Sequence, residues 1–197
     1  TKVSPSGDEV IVVNGKRLGE RVDTVYKFHK PRGVLSSYSD PRPRKNLSDF
    51  KELAAMKMGY SGRLDFDSEG LMLFTSDGKL IYKLQRSEFK VEKEYITETD
   101  KDISADWLKR LRAGIQDDGD QFLPCIVERL VQCRYRVILT EGKKRQVRRM
   151  FKAAGAVVKR LQRIRIGTVT LADMPPGALI PLTHNETEEL KACIELQ

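Results

Sequence analysis

The sequence predicts an α+β fold built on a mixed, mainly antiparallel sheet with flanking helices. Three observations carry this. Segments of strand length alternate along the chain with segments of 3.6-residue apolar periodicity. Several strand segments are joined by short turns, not by the long crossovers a parallel sheet needs. The 197 residues are 40% hydrophobic and 32% charged, enough apolar content for one full domain, or one domain with a fragment of another.

In chain order, Val10 to Val13 reads as a short strand and Asn14-Gly15 as a hairpin turn. This piece, residues 1–22, is too small to fold alone and is expected to be a tail and linker. A new unit, residues 23–197, opens with a strand over Val25 to Phe28, stopped by Pro31 and Gly33. Residues 34–38 look extended, and Asp40 to Lys45 is a proline-rich basic loop. A helix capped near Asn46 or Ser48 puts Leu47, Phe50, Leu53 and Ala54 on one face. The stretch Gly59 to Gly70 is a polar loop with three glycines, and Leu71 to Thr75 is a buried strand. Asp77-Gly78 turns the chain into a short helix carrying Leu80, Ile81 and Leu84. Glu94 to Glu98 is a strand. Ser104 caps a helix bearing Trp107, Leu108 and Leu111 that Gly114 closes. Strands are expected at 122–130, 133–140, 157–166 and 168–172, a turn at Pro175 to Gly177, and a last helix at 185–195. Between the strands, Val147, Met150, Phe151 and Ala154 have helical spacing. Lys144, Arg148 and Lys152 then form an outward stripe, with Arg145 and Arg149 beside it.

Charge is concentrated. From Glu141 to Arg165 there are ten basic residues and one acid, a net of +9, so the rest of the chain nets −1 of the total +8. Many charge clusters are only solvated faces, but this density favours a polyanion partner. No run of about 18 apolar residues indicates a membrane span, and the N-terminus lacks the apolar core of a signal peptide. Cys125, Cys133 and Cys193 form no CxxC pair, and His29 and His184 are far apart. Neither a structural zinc site nor any other metal site is expected, and a reducing, cytoplasmic compartment fits best. Walker-type and dinucleotide glycine loops are absent from the sequence, as is any spacing suited to a Ser-His-Asp triad.

Asp65 is the strongest candidate for chemistry. It lies in a glycine-bounded loop just before a buried strand, two residues after Arg63, where a sheet can hold a carboxylate facing a cleft. Its plainer role is a turn hydrogen bond, which is the role expected of Asp67. Tyr95, mid-strand, reads as a core aromatic with its hydroxyl at the rim or as a stacking platform for an unpaired base. Trp107 reads as core. His29 suits a phosphate contact or an idle surface position.

Five segments together resemble a known family. Tyr26-Lys-Phe-His-Lys-Pro-Arg-Gly-Val34, Gly62-Arg-Leu-Asp-Phe-Asp-Ser-Glu-Gly-Leu71, Thr75-Ser-Asp-Gly78, Lys93-Glu-Tyr95 and Glu141-Gly-Lys-Lys-Arg-Gln-Val-Arg-Arg-Met150 occur in the order of the ribosomal RNA pseudouridine synthases. The branch resembled is that of small-subunit pseudouridine synthase A and its large-subunit relatives, from about residue 23 to residue 185. His29 departs from the asparagine more usual there. Gly7 to Lys16 resembles the end of the small RNA-binding domain shared with ribosomal protein S-four, without its helical front half. The resemblance implies a pseudouridine synthase-like sheet with a central catalytic cleft. It implies isomerisation of a uridine in ribosomal RNA by glycosidic cleavage, base rotation and rejoining through carbon. Asp65 matches the essential aspartate, Tyr95 the tyrosine against the target base, Arg148 the partner of the aspartate, and Arg63 the arginine near the flipped nucleotide. Lys30, Lys144, Arg145, Arg149, Lys152, Lys159 and Arg160 are the expected RNA contacts. No cofactor is expected, since the reaction is an internal rearrangement. A monomer in the cytoplasm, or in an organelle of bacterial ancestry, is the expected state. A non-catalytic RNA-binding assembly factor explains the basic segment equally well but not Asp65, Tyr95 and Arg148. A nucleic-acid glycosidase would release free base.

Overall fold

The computed structural model describes residues 24–195, together with 12–13 and 16–17. At the N-terminal end β1 (Val12–Val13) pairs antiparallel with β2 (Lys16–Arg17), the hairpin that the Asn-Gly dipeptide suggests. Val10, Ile11 and the turn residues Asn14 and Gly15 lie outside the described residues.

The main unit opens with β3 (Tyr26–Lys30). Asn46 then forms a capping box with Asp49 on a 3-10 turn, Leu47–Asp49, and Phe50 leads into α1 (Lys51–Met56). The expected single helix is thus broken in two at Phe50, whose backbone is extended. After β4 (Gly59–Tyr60) comes β5 (Glu69–Thr75), then α2 (Gly78–Gln85), for which Asp77 accepts hydrogen bonds from the amides of Lys79 and Leu80. β6 (Lys93–Thr99) precedes α3 (Ala105–Ala113), capped by Ser104 and ended by Gly114 at φ 87°. The hairpin β7 (Gln116–Asp117) and β8 (Asp120–Gln121) leads to β9 (Ile126–Val131) and β10 (Arg134–Leu139). α4 (Gln146–Ala153), β11 (Val158–Ile166), β12 (Val169–Thr170), β13 (Leu179–Pro181) and α5 (His184–Glu195) complete the chain.

The sheet runs β13-β3-β5-β11-β6-β10-β9, with β4 added to β5 and β12 to β11. Every pairing is antiparallel except β5 with β11. Side chains alternate across it. On β5, Met72 and Phe74 join a core with Phe28, Leu53, Met150 and Phe151 on the face of α1, α3 and α4. Leu71 and Leu73 join a second core with Leu80, Leu84, Leu190 and Ile194 of α2 and α5. Burial on both faces explains why this strand is an unbroken apolar run.

The parallel pairing is tight. Gly70 has φ +114°, and a Cβ there would lie 2.2 Å from the Arg163 carbonyl oxygen. Only glycine lets β5 and β11 meet where the Asp65 loop enters the sheet. Among the described residues, no helix is long and apolar enough to cross a membrane.

Candidate active site

Asp65 lies on a loop fixed from several sides. The buried Ser36 hydroxyl donates to the Leu64 carbonyl (2.8 Å) and accepts from the Leu64 amide (3.1 Å). The Gly33 amide donates to Phe66 O (2.7 Å), and the Ser68 amide closes a turn onto Asp65 O (3.0 Å). Leu64 is buried in the core while its neighbours Arg63 and Asp65 reach outward. The apolar residue is the anchor, and the carboxylate is carried beside it. With the amides of Leu64 and Ser68 and the carbonyls of Leu64, Asp65 and Phe66 committed in this way, the loop has little freedom left.

α4 supplies the opposing wall. Arg148 donates from Nη2 to Asp67 O (2.9 Å) and Ser68 Oγ (3.0 Å), and from Nη1 to Val158 O (3.0 Å). Its Nε comes to 4.0 Å from Asp65 Oδ2 and is otherwise buried without a hydrogen bond. Arg145 forms a two-pronged pair with Asp67, both contacts at 3.2 Å, and stands 3.6 Å from Asp65. Asp67 is therefore the carboxylate that holds the arginines, not a simple turn residue. Burial pushes its carboxyl up, but the Arg145 hydrogen bond and the charges of Arg148 and Arg145 outweigh that and hold it below its ordinary value. Burial lowers the Arg148 guanidinium, against the opposing pull of Asp67. Arg148 thus pairs chiefly with Asp67 and the loop backbone, and meets Asp65 only at the outer limit of an ion pair.

Asp65 and Arg145 border a cavity of 530 Å³ lined also by Arg63, Lys93, Tyr95 and Arg163 among others. Tyr95 is in the middle of β6, 9% exposed, opposite Val137 of β10 and Arg163 of β11. The sheet brings it to the same cavity as Asp65, thirty positions earlier in the chain, which periodicity alone could not show. Among the described residues no group of His, Cys, Asp and Glu is placed to hold a metal ion.

Several expected RNA contacts sit differently. Lys30 is fully buried, and its ammonium donates to Pro31 O (2.9 Å) and Val34 O (2.6 Å). It is a strut inside the β3 turn, because β3 lies between β13 and β5 and its end points inward. His29, 4% exposed with Nδ1 2.7 Å from Met174 O, is likewise internal and not a surface group. Arg149 reaches Asp117 and Asp120, both at 2.6 Å, and stacks over Phe122 at 4.8 Å. It ties the β7–β8 hairpin to α4. Arg160 pairs with Glu69 at 2.6 Å. Lys144, Lys152 and Lys159 are exposed. The lysine stripe is shorter than its spacing implied: α4 begins at Gln146, and Arg145 before it is left-handed at φ 52°. Gln146 folds this entry back on itself, donating to Glu141 (2.6 Å) and accepting from the Lys143 amide (3.0 Å). Trp107 is only partly buried, with Arg110 over its ring at 4.7 Å. Sequence reasoning missed Lys93 and Arg163 as cavity groups. The signal for Lys93 was its place two residues before Tyr95, hence on the same face of a strand.

Comparison with known proteins agrees with this geometry. Residues 24–153 match the family model of RNA pseudouridylate synthases. An uncharacterized RNA pseudouridine synthase of Aquifex aeolicus is 35% identical over 191 residues, covering 95% of this chain and 79% of the relative. The ribosomal small subunit pseudouridine synthase A of Escherichia coli K12 is 33% identical over 189 residues, covering 94% of this chain and 81% of its own length. A crystal structure of a pseudouridylate synthase superposes with a TM-score of 0.79 at 30% identity, over 85% of this chain and 74% of that one. With the motifs in order, the sheet shared and an aspartate clamped beside a tyrosine-lined cavity, the chain belongs to the RNA pseudouridine synthase family.

Proposed function

We propose that this enzyme converts a specific uridine of ribosomal RNA to pseudouridine, with Asp65 as the catalytic carboxylate. The observation that carries this is the convergence of Asp65 and Tyr95 on one cavity, with Arg148 holding the loop that carries the aspartate. The ribosomal substrate is supported by relatives named as pseudouridine synthases of the large and small ribosomal subunits. Residues 1–22 are read as the tail of a small RNA-binding domain, ahead of a catalytic domain over 23–197.

The chemistry follows from the parts. The target base leaves its stack at a cost of a few kcal/mol. Stacking on Tyr95 returns about 1–3 kcal/mol of it. Asp65 acts on the sugar as a carboxylate, with the guanidiniums of Arg145 and Arg148 at 3.6 and 4.0 Å from it. Arg148 orients the loop that carries Asp65. Exposed Lys144, Lys152 and Lys159, with Arg63, meet phosphates and hold the RNA in register.

The test is incubation of the protein with unmodified transcripts of both large ribosomal RNAs, followed by chemical mapping of pseudouridine. The expected result is modification at a discrete uridine, lost in Asp65→Asn. RNA binding with no modification at any position would instead support an assembly factor, and released uracil would indicate a glycosidase.

A further inference from the structure

We propose that Lys93 is a further catalytic residue, its ammonium meeting the carbonyl edge of the base stacked on Tyr95 and holding the negative charge that base carries while detached from its sugar. This rests on the reading of Asp65 and Tyr95 given above.

Lys93 is 8% exposed, lines the cavity, and makes no hydrogen bond or ion pair among the described residues. A buried lysine without a partner is costly, and the other inward cations have partners. Lys30, fully buried, donates to two backbone carbonyls. Arg149 and Arg165 are each held by two carboxylates. The cross-strand neighbours of Lys93 are Leu139 on β10 and Ile166 on β11, whose apolar side chains offer its ammonium no acceptor. A second cation, Arg163, is 3% exposed on the same cavity, its Nε fixed on Leu71 O at 2.7 Å and its Nη2 without a partner. The cavity that Asp65 lines therefore also carries the positive charges of Lys93 and Arg163.

Spacing fits a base on Tyr95. Residues two apart on a strand share a face and stand roughly 6.6 Å apart, within the reach of a lysine side chain. Burial, with Arg163 adding to it, lowers the Lys93 pKa to about 8, which leaves the group protonated at neutral pH.

The reaction supplies the missing partner. When the C1′–N1 bond breaks, its electron pair stays on the pyrimidine and spreads onto the carbonyl oxygens. After rotation C5 bonds to C1′, the C5 proton leaves and N1 ends protonated. The change is an isomerisation and needs no co-reactant. The ammonium lends hydrogen bonds to the anion and transfers no proton, so its charge counts only while the base is detached.

The experiment compares wild type, Asp65→Asn, Lys93→Met, Lys93→Gln and Lys93→Arg on unmodified ribosomal RNA transcripts. Single-turnover rate, dissociation constant at two salt concentrations and Tm are measured for each. The proposal expects Lys93→Met to lose about 10²- to 10³-fold in rate, to bind RNA as wild type does, and to melt higher because an unpaired buried charge is gone. Lys93→Gln should be equally slow, and Lys93→Arg should recover part of the rate. With wild type active and Asp65→Asn inactive, a Lys93→Met rate within about threefold of wild type overturns the role of Lys93 and leaves the function standing. Weakened binding with a shallower salt slope and a normal rate makes Lys93 a phosphate contact and also overturns it. A lowered Tm in both neutral variants makes it structural, with the same consequence. An inactive wild type overturns both readings.

Discussion

Asp65 and Asp67 are two residues apart on one loop and differ in what they touch. Asp67 takes Arg145 and Arg148, while Asp65 stands 3.6 and 4.0 Å from the same guanidiniums and borders the cavity. Asp65→Asn is nearly isosteric and removes the charge the proposed chemistry needs. Turnover should fall by at least about 10³-fold while RNA affinity stays within about twofold, since phosphate contacts dominate binding; single-turnover kinetics beside filter binding checks both. Arg148→Ala should act on the rate through the loop. It removes the contacts to four residues, 65, 67, 68 and 158, and the expected loss is about 10²-fold in the chemical step with little change in affinity. Lys152→Ala should do the reverse. If both variants lose only affinity, with equal salt slopes, Arg148 is another phosphate contact. Arg148→Lys keeps the charge but not the fork that reaches Asp67 O and Val158 O together, so it should be slow and not dead.

At the scale of elements, the joint between β5 and β11 sets where the Asp65 loop stands. Only two register pairs, Gln162 with Glu69 and Arg163 with Gly70, make this parallel contact, and Arg163 Nε reinforces it through Leu71 O. Gly70→Ala would place a methyl group against Arg163 backbone at a φ that other residues avoid. The expected cost is about 3 kcal/mol or more, read as a lower urea midpoint, and activity should fall with it. An unchanged midpoint would mean that the strands separate freely. The β7–β8 hairpin shows another use of charge. Asp117 and Asp120 hold Arg149, and Asp120 also takes Lys143 at 3.3 Å. Part of the basic segment is thereby occupied in fixing a hairpin against α4.

Over the whole molecule, that division separates the cations proposed to meet RNA from those that build the fold. Replacing Lys152 should reduce the slope of log K against log salt by about 0.7 to 0.9. Replacing Arg149 should change the slope less and the stability more, because its charge is already matched by two carboxylates. Buried cations give a pH signature. Burial lowers Lys30 and Lys93 to about 8, whereas an unfolded lysine titrates near 10.5. Between these values the unfolded chain binds more protons than the native one, so these groups raise stability as pH rises from about 8 to 10.5. Cys125, pushed up by burial to about 11 from 9.0, acts in the opposite sense above pH 9. The clean measurement is therefore a difference. The Tm advantage of Lys93→Met over wild type should be largest below pH 8 and shrink steadily towards pH 10.5. A constant advantage would show that Lys93 titrates normally in the folded protein.

The sequence by itself determined what depends on near neighbours. The turn at Asp77-Gly78 into a helix, the Ser104 cap, the Gly114 stop, the apolar seam of Val147, Met150 and Phe151, and the buried strand at Leu71 to Phe74 were all legible. Each is written in spacings of two to four residues and in cap chemistry. The short strands β4, β7, β8 and β13 were not, because two or three residues carry no period. The ordered motifs also pointed to Asp65, Tyr95 and Arg148 before any geometry was known. Only the tertiary structure decided what each charge is for. Lys30 and His29 turned inward because β3 became an interior strand with β13 and β5 on either side. Arg149 found its carboxylates 32 and 29 positions away, and Arg148 its loop 80 and 81 positions away. A cation's partner is set by which elements the sheet brings together, and a local pattern holds no record of that.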